Sequence, residues 1–134
     1  MFIVVGAHAM AAHGVPRATG DLDIWVRPDS ENANKVWRAL IDFGTPVEAL
    51  QFSLKDLTIP GTVFQIGLPP RRVDILTDID GITFDQAWPS RSVEKIDDLD
   101  VPFLGRQALL ENKKASGRPK DLADVEILEG KRNA

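Results

Sequence analysis

Residues 2–26 read FIVVGAHAMAAHGVPRATGDLDIWV, and the reading of this stretch decides the fold. Phe2 to Val5 is a short β-rich apolar run that stops at Gly6, as a buried strand does before a turn. Ala7 to His13 is built of good helix formers, and Gly14 suits a helix end. From Asp21 to Val26 polar and apolar residues alternate, with Leu22, Ile24 and Val26 on one side of a second strand. A strand, a glycine turn and a helix also open a dinucleotide-binding fold, but that motif needs a glycine where His8 stands, so that the pyrophosphate can approach the backbone. It also needs its acidic residue at the end of the second strand, about 20 residues on. Here Asp21 and Asp23 open that strand, too soon for a full crossover helix.

The two acids suggest a different purpose. Spaced by two along a strand, Asp21 and Asp23 project from one face. Neighbouring carboxylates repel, which raises the pKa of one or destabilises the site. A divalent cation removes that cost, and Mg²⁺ suits a place built from a few carboxylates, waters and substrate phosphates. Asp-x-Asp recurs at Asp78/Asp80 and Asp98/Asp100. There the residues read as turn chemistry (Asp80-Gly81) and as an exposed loop (Asp97 to Asp100). Asp74 is another matter: it sits between Val73 and Ile75 in an apolar strand, where an acid needs a partner or a task. Three carboxylates converging from two strands form an acidic cradle for two metal ions.

Further along, Pro28-Asp29-Ser30 starts an amphipathic helix that runs to Phe43 and closes at Gly44, with Val36, Trp37, Leu40 and Ile41 at helical spacing. A short helix is expected within 46–57, strands at Thr62–Ile66 and Val73–Leu76, and a strand pair within 92–104. Two helices follow, Arg106–Ala115 and Lys120–Glu129. Pro119 sits in the first turn of the second, which carries a stripe of Leu122, Val125 and Leu128. The expected fold class is therefore α/β (α+β), a mixed sheet flanked by helices, with residues 1–134 as one domain.

Composition narrows the function. The net charge of −4 opposes a broad basic footprint on duplex nucleic acid, though a local basic pocket remains compatible with it. With no cysteine there is no disulfide, thiolate metal site or cysteine nucleophile, which fits a reducing cytoplasm. The expected location is cytoplasmic, with no signal peptide and no membrane partner, since no segment reaches the roughly 20 apolar residues of a span.

Gly6-Ala7, Asp21-Leu22-Asp23 and Asp74 together resemble the pattern of the nucleotidyltransferase superfamily, whose fold is of the polymerase-β type. That pattern has a Gly-Gly or Gly-Ser turn, an h-Asp-h-Asp-h strand start and a later h-Asp-h strand. More narrowly, VVGAHAMAAHGVPRATGDLDIWV and the tail NKKASGRPKDLADVEIL are similar to small bacterial nucleotidyltransferase-like proteins, including toxins of AbiEii-type and related toxin–antitoxin systems. The resemblance covers residues 2–26, 71–77 and 109–128; residues 45–65 contribute little.

It implies Mg²⁺-dependent transfer of a nucleoside monophosphate from a nucleoside triphosphate, ATP among them, to a hydroxyl of a protein, an RNA or a small molecule. Asp21, Asp23 and Asp74 would be the catalytic metal ligands for two Mg²⁺ ions (or Mn²⁺), with Asp74 serving the attacking oxygen as base or positioner. Gly6 and Ala7 would receive the triphosphate. His8 lies near enough to the turn to touch a nucleotide, and Lys113 and Lys120 stand where relatives bring a basic residue toward it.

Several of these residues also have plainer readings. Arg17, with Thr19 beside it, either contacts phosphate or pairs with an aspartate. Lys120 and Asp124 have i,i+4 spacing on a solvated helix. Arg71 and Arg72 either meet a polyanionic acceptor or flank a turn. His13 suits a helix face or cap, and Trp25, Trp37 and Trp88 suit a core.

Two departures favour an alternative: a catalytically degenerate nucleotide-binding protein, or an antitoxin-type partner, that keeps the fold. Ala7 lacks the hydroxyl of Ser. Relatives also carry a helix before the first strand, whereas this sequence opens at the strand, and an uncovered apolar face favours association with a second copy or a partner. A plain interaction module with solvated acids is a third reading.

Overall fold

In the computed structural model, which describes residues 1–16, 21–68 and 70–130, the apolar runs become the strands of one mixed sheet. These are β1 (Phe2–Val5), β2 (Leu22–Val26), β3 (Val63–Ile66), β4 (Val73–Leu76), β5 (Ser92–Ile96) and β6 (Leu99–Phe103), in the order β3-β4-β2-β1-β6-β5. β2 runs antiparallel to β1 and parallel to β4, β1 runs parallel to β6, and the two outer pairs are antiparallel. This is the α+β mixed sheet the sequence leads one to expect.

Alternation along the strands sends side chains into two cores. On one face Ile3, Val5 and Trp25 pack with Met10 of α1 (Gly6–Ala12), Phe84 of α3 (Phe84–Ala87), Leu109 of α4 (Arg106–Ser116) and Val125 of α5 (Pro119–Leu128). On the other, Val26, Phe64 and Ile75 pack with Ala33 and Leu40 of α2 (Ser30–Phe43) and with Leu57 of a 3-10 turn at Leu54–Thr58. Asp21, Asp23 and Asp74 have the parity of Trp25 and Leu76, so they belong to the first face.

The helix ends follow local chemistry. Asp29 caps α2 by accepting from the Asn32 N–H, and Gly44 closes it at φ 91°. Thr83 and Gln86 form a reciprocal capping box on α3, a helix that the apolar pattern alone does not announce. Three expectations change. The helix expected within 46–57 is a run of turns and a short 3-10 segment, because Pro46 and Ser53 break the run and Phe52 must reach inward to stack on Phe64. Asp97-Asp98-Leu99-Asp100 is not a loop: Asp97 and Asp98 adopt positive φ as a tight hairpin turn, and Leu99 already starts β6. The stripe on α5 is Val125 and Leu128 with buried Asp121 and Asp124, while Leu122 is 48% exposed. The tryptophans are core or partial core, as expected: Trp25 is buried, and Trp37 and Trp88 are partly buried against Phe52 and Phe84.

The sheet face under α2 is incompletely covered. Leu22, Ile24, Val36, Val73 and the 71%-exposed Phe43 line an apolar groove there. Among the described residues no helix is long and apolar enough to cross a membrane.

Candidate active site

Parallel pairing of β2 and β4 places Asp23 opposite Asp74 in register. Both carboxyls therefore leave the sheet on the same face and at the same end. The register of β1 against β2 sets Val5 opposite Asp23, so the chain must turn away beside that carboxylate. Gly6 makes the turn at φ 70°, and a Cβ there would overlap the Asp23 carboxyl. Glycine is thus required twice at this position, by the backbone and by the neighbouring acid.

Around these acids lies a cleft of about 340 Å³. Gly6, Asp23 and Asp74 form one wall; Lys113, Arg118 and Asp121 from the α4–α5 junction form the other. Burial first, then the charge of Asp74 and a hydrogen bond with its carboxyl, push the Asp23 carboxyl above its ordinary pKa, and Asp21 adds to the rise.

Arg72 is the charged neighbour of the cluster. Its Nε donates to Asp74 Oδ1 at 2.9 Å and one terminal nitrogen donates to Asp74 Oδ2 at 3.2 Å, a two-pronged contact. The same terminal nitrogen lies 3.2 Å from Asp21 Oδ2. Of the two sequence readings of Arg72, turn flank or acceptor contact, neither anticipates this bridge between acids.

The opposite wall is held by Asp121, which is fully buried. Burial alone would raise its pKa. Hydrogen bonds from Arg118 and Ser116, with the charge of Lys113, outweigh that and hold it at about 2. Lys113 Nζ also lies 3.1 Å from Asp124. The tail residues are therefore an ion-pair network in which Asp121 and Asp124 hold Lys113 in the lining of the cleft that Asp23 and Asp74 also line, rather than only a solvated helix face.

Of the residues expected at the site, Gly6, Asp23, Asp74 and Lys113 line one cleft, and Asp21 joins them through Arg72. Ala7 and His8 lie in α1 and Lys120 is exposed on α5; these three are not among the cleft residues. Arg17 and Thr19 lie outside the described residues. His13 Nε2 lies 2.7 Å from the Leu104 carbonyl oxygen, tying the end of α1 to the chain after β6. Asp80 and Gly81 make the expected tight turn, between Ile79 and Ile82, and Asp78 and Asp80 also line the cleft. Their even spacing from Asp74 was the available signal.

A larger cleft, about 450 Å³, opens between Trp25, Ile82 and Phe84 and shares Asp78 and Ile79 with the acidic one. Its wall is mainly apolar, and it holds neither Asp23 nor Asp74.

Among the described residues no group of three or more His, Asp or Glu side chains forms a ready metal cage. The pair Asp23–Asp74 nevertheless fits an open Mg²⁺ site of the kind completed by water and phosphate. Two carboxyls set side by side in register on adjacent strands are a donor set whose repulsion a cation would relieve. Comparison with models of protein families and with curated proteins finds no match to this chain.

Proposed function

We propose that the protein is a Mg²⁺-dependent nucleotidyltransferase, which moves a nucleoside monophosphate from a nucleoside triphosphate onto a hydroxyl of a protein, an RNA or a small molecule. The observation that carries this reading is the side-by-side pair Asp23–Asp74 in a cleft that Lys113 also lines. The resemblance of residues 2–26, 71–77 and 109–128 to the superfamily supports it, as does Gly6 beside Asp23. A cytoplasmic location and a role as the toxin of a toxin–antitoxin pair belong to the same proposal.

The chemistry follows from the residues. When bound, divalent metal would supply charge neutralisation of the phosphates and a lowered pKa for the attacking hydroxyl. Asp74 accepts the hydroxyl proton as the acceptor oxygen bonds to the α-phosphorus and the bond to pyrophosphate breaks. Asp23 and Asp74 would hold the cation between them. Lys113, fixed by Asp121 and Asp124, lends positive charge to the triphosphate.

One observation favours the degenerate, non-catalytic reading: Arg72 already neutralises two of the three acids. The two readings separate when the protein is incubated with Mg²⁺, each α-labelled nucleoside triphosphate and cell lysate. Label transfer by the native protein and none by Asp23→Asn/Asp74→Asn is the expected result. Transfer that survives the double substitution would remove the assignment, and absence of transfer with intact metal–nucleotide binding would favour the degenerate form.

A further inference from the structure

We propose that Arg72 is a latch on the acidic cleft: it holds Asp21 and Asp74 together in the empty site and passes to the phosphate when a metal–polyphosphate arrives. The inference rests on the proposed metal site and concerns how that site is loaded.

Arg72 has the geometry for both positions. Its carbonyl accepts from the Leu22 N–H at 2.9 Å, so its backbone is anchored at the start of β4 beside β2. Its side chain is 27% exposed, at the cleft margin rather than in the core. In the fork it gives Asp74 two hydrogen bonds and Asp21 a third contact, which is the arrangement a guanidinium also makes with phosphate oxygens. It does not satisfy Asp23, whose strongest influences are burial and Asp74.

A bare metal ion must displace Arg72 to reach Asp21 and Asp74 and leaves the guanidinium without an acceptor. A metal–polyphosphate brings the replacement acceptor with it. Metal and phosphate therefore bind with positive coupling, and coupling of this kind is reciprocal. The device would keep the acids from trapping metal in the absence of substrate.

The test uses the full chain. Mn²⁺ alone, read by the spin-resonance signal of the free ion, is the metal probe. The 1:1 complex of Mn²⁺ with inorganic tripolyphosphate, read by calorimetry, is the phosphate probe. Native protein is expected to hold Mn²⁺ weakly and the complex far more tightly. Arg72→Gln should bind Mn²⁺ alone about tenfold more tightly and the complex about tenfold more weakly, within the usual range of coupling.

Arg72→Lys decides between fork and charge. Lysine keeps the charge but not the two-pronged contact, so a latch requires it, too, to bind bare Mn²⁺ more tightly than the native protein. An Arg72→Lys protein that matches the native one while Arg72→Gln does not would reduce Arg72 to a simple counter-charge and overturn the latch. Unchanged Mn²⁺ affinity in both variants, with binding abolished by Asp23→Asn, would overturn it while leaving the metal reading intact. No binding of either probe by any form would take the metal reading down and the latch with it.

Discussion

Asp23 and Asp74 stand opposite one another on adjacent parallel strands, and both line one cleft. Two acids placed this way raise the cost of ionising one of them, and the cost falls on Asp23.

Its consequence for stability has a definite sign. The folded pKa of Asp23 is raised, so its stabilising effect is complete below the ordinary value near 3.8 and is lost as pH rises through the folded value. Above that point an ionised Asp23 burdens the fold. Asp23→Asn is expected to melt a few degrees higher than the native protein at neutral pH in chelator, with the difference vanishing in acid. Circular-dichroism melts from pH 3 to 8 measure it, and identical curves throughout would show that the two acids do not interact.

The buried Asp121 behaves oppositely. Its folded pKa is lowered to about 2, so its contribution is present above the ordinary value and is lost as pH falls toward 2. Asp121→Asn leaves Lys113 and Arg118 without their shared partner. A loss of about 3 kcal/mol in urea unfolding at neutral pH is expected, shrinking as pH falls through that window. A loss that is the same at pH 2 as at pH 7 would contradict the ionic account.

Gly6→Ala tests the close approach of the turn. The added Cβ overlaps the Asp23 carboxyl and the residue must keep a positive φ. A destabilisation of about 1–3 kcal/mol is expected, with weakened Mn²⁺ binding because Asp23 is displaced. Unchanged stability and binding would mean that the glycine answers to neither constraint.

Thr83→Ala removes one half of the capping box on α3. About 1 kcal/mol of stability should be lost, with the binding of Mn²⁺ unaffected, since Thr83 does not line the acidic cleft. Reduced metal binding in this variant would indicate that α3 communicates with the site.

Much of the strand and helix framework was legible in residues 2–26, 29–44 and 106–128, because alternation, helical spacing, Asp29, Gly44 and Pro119 each act within a few residues of themselves. The two-residue spacing of Asp21 and Asp23 likewise set both on one face before any partner strand was known. The segment 46–57 was less readable, since Phe52 and Leu57 take their places from the far-off Phe64 and Ile75 rather than from local propensity.

The sequence by itself determined that this chain makes a mixed sheet with helices and that Asp74 is an acid in an apolar strand. Only the tertiary structure decided that Asp74 stands opposite Asp23 in register, that Arg72 bridges Asp74 to Asp21, and that Lys113, held by Asp121, lines the same cleft. The physical reason is range. Side-chain parity and helix capping are local. The distance between two charges on different strands depends on strand order and register, which the packing of the whole sheet sets.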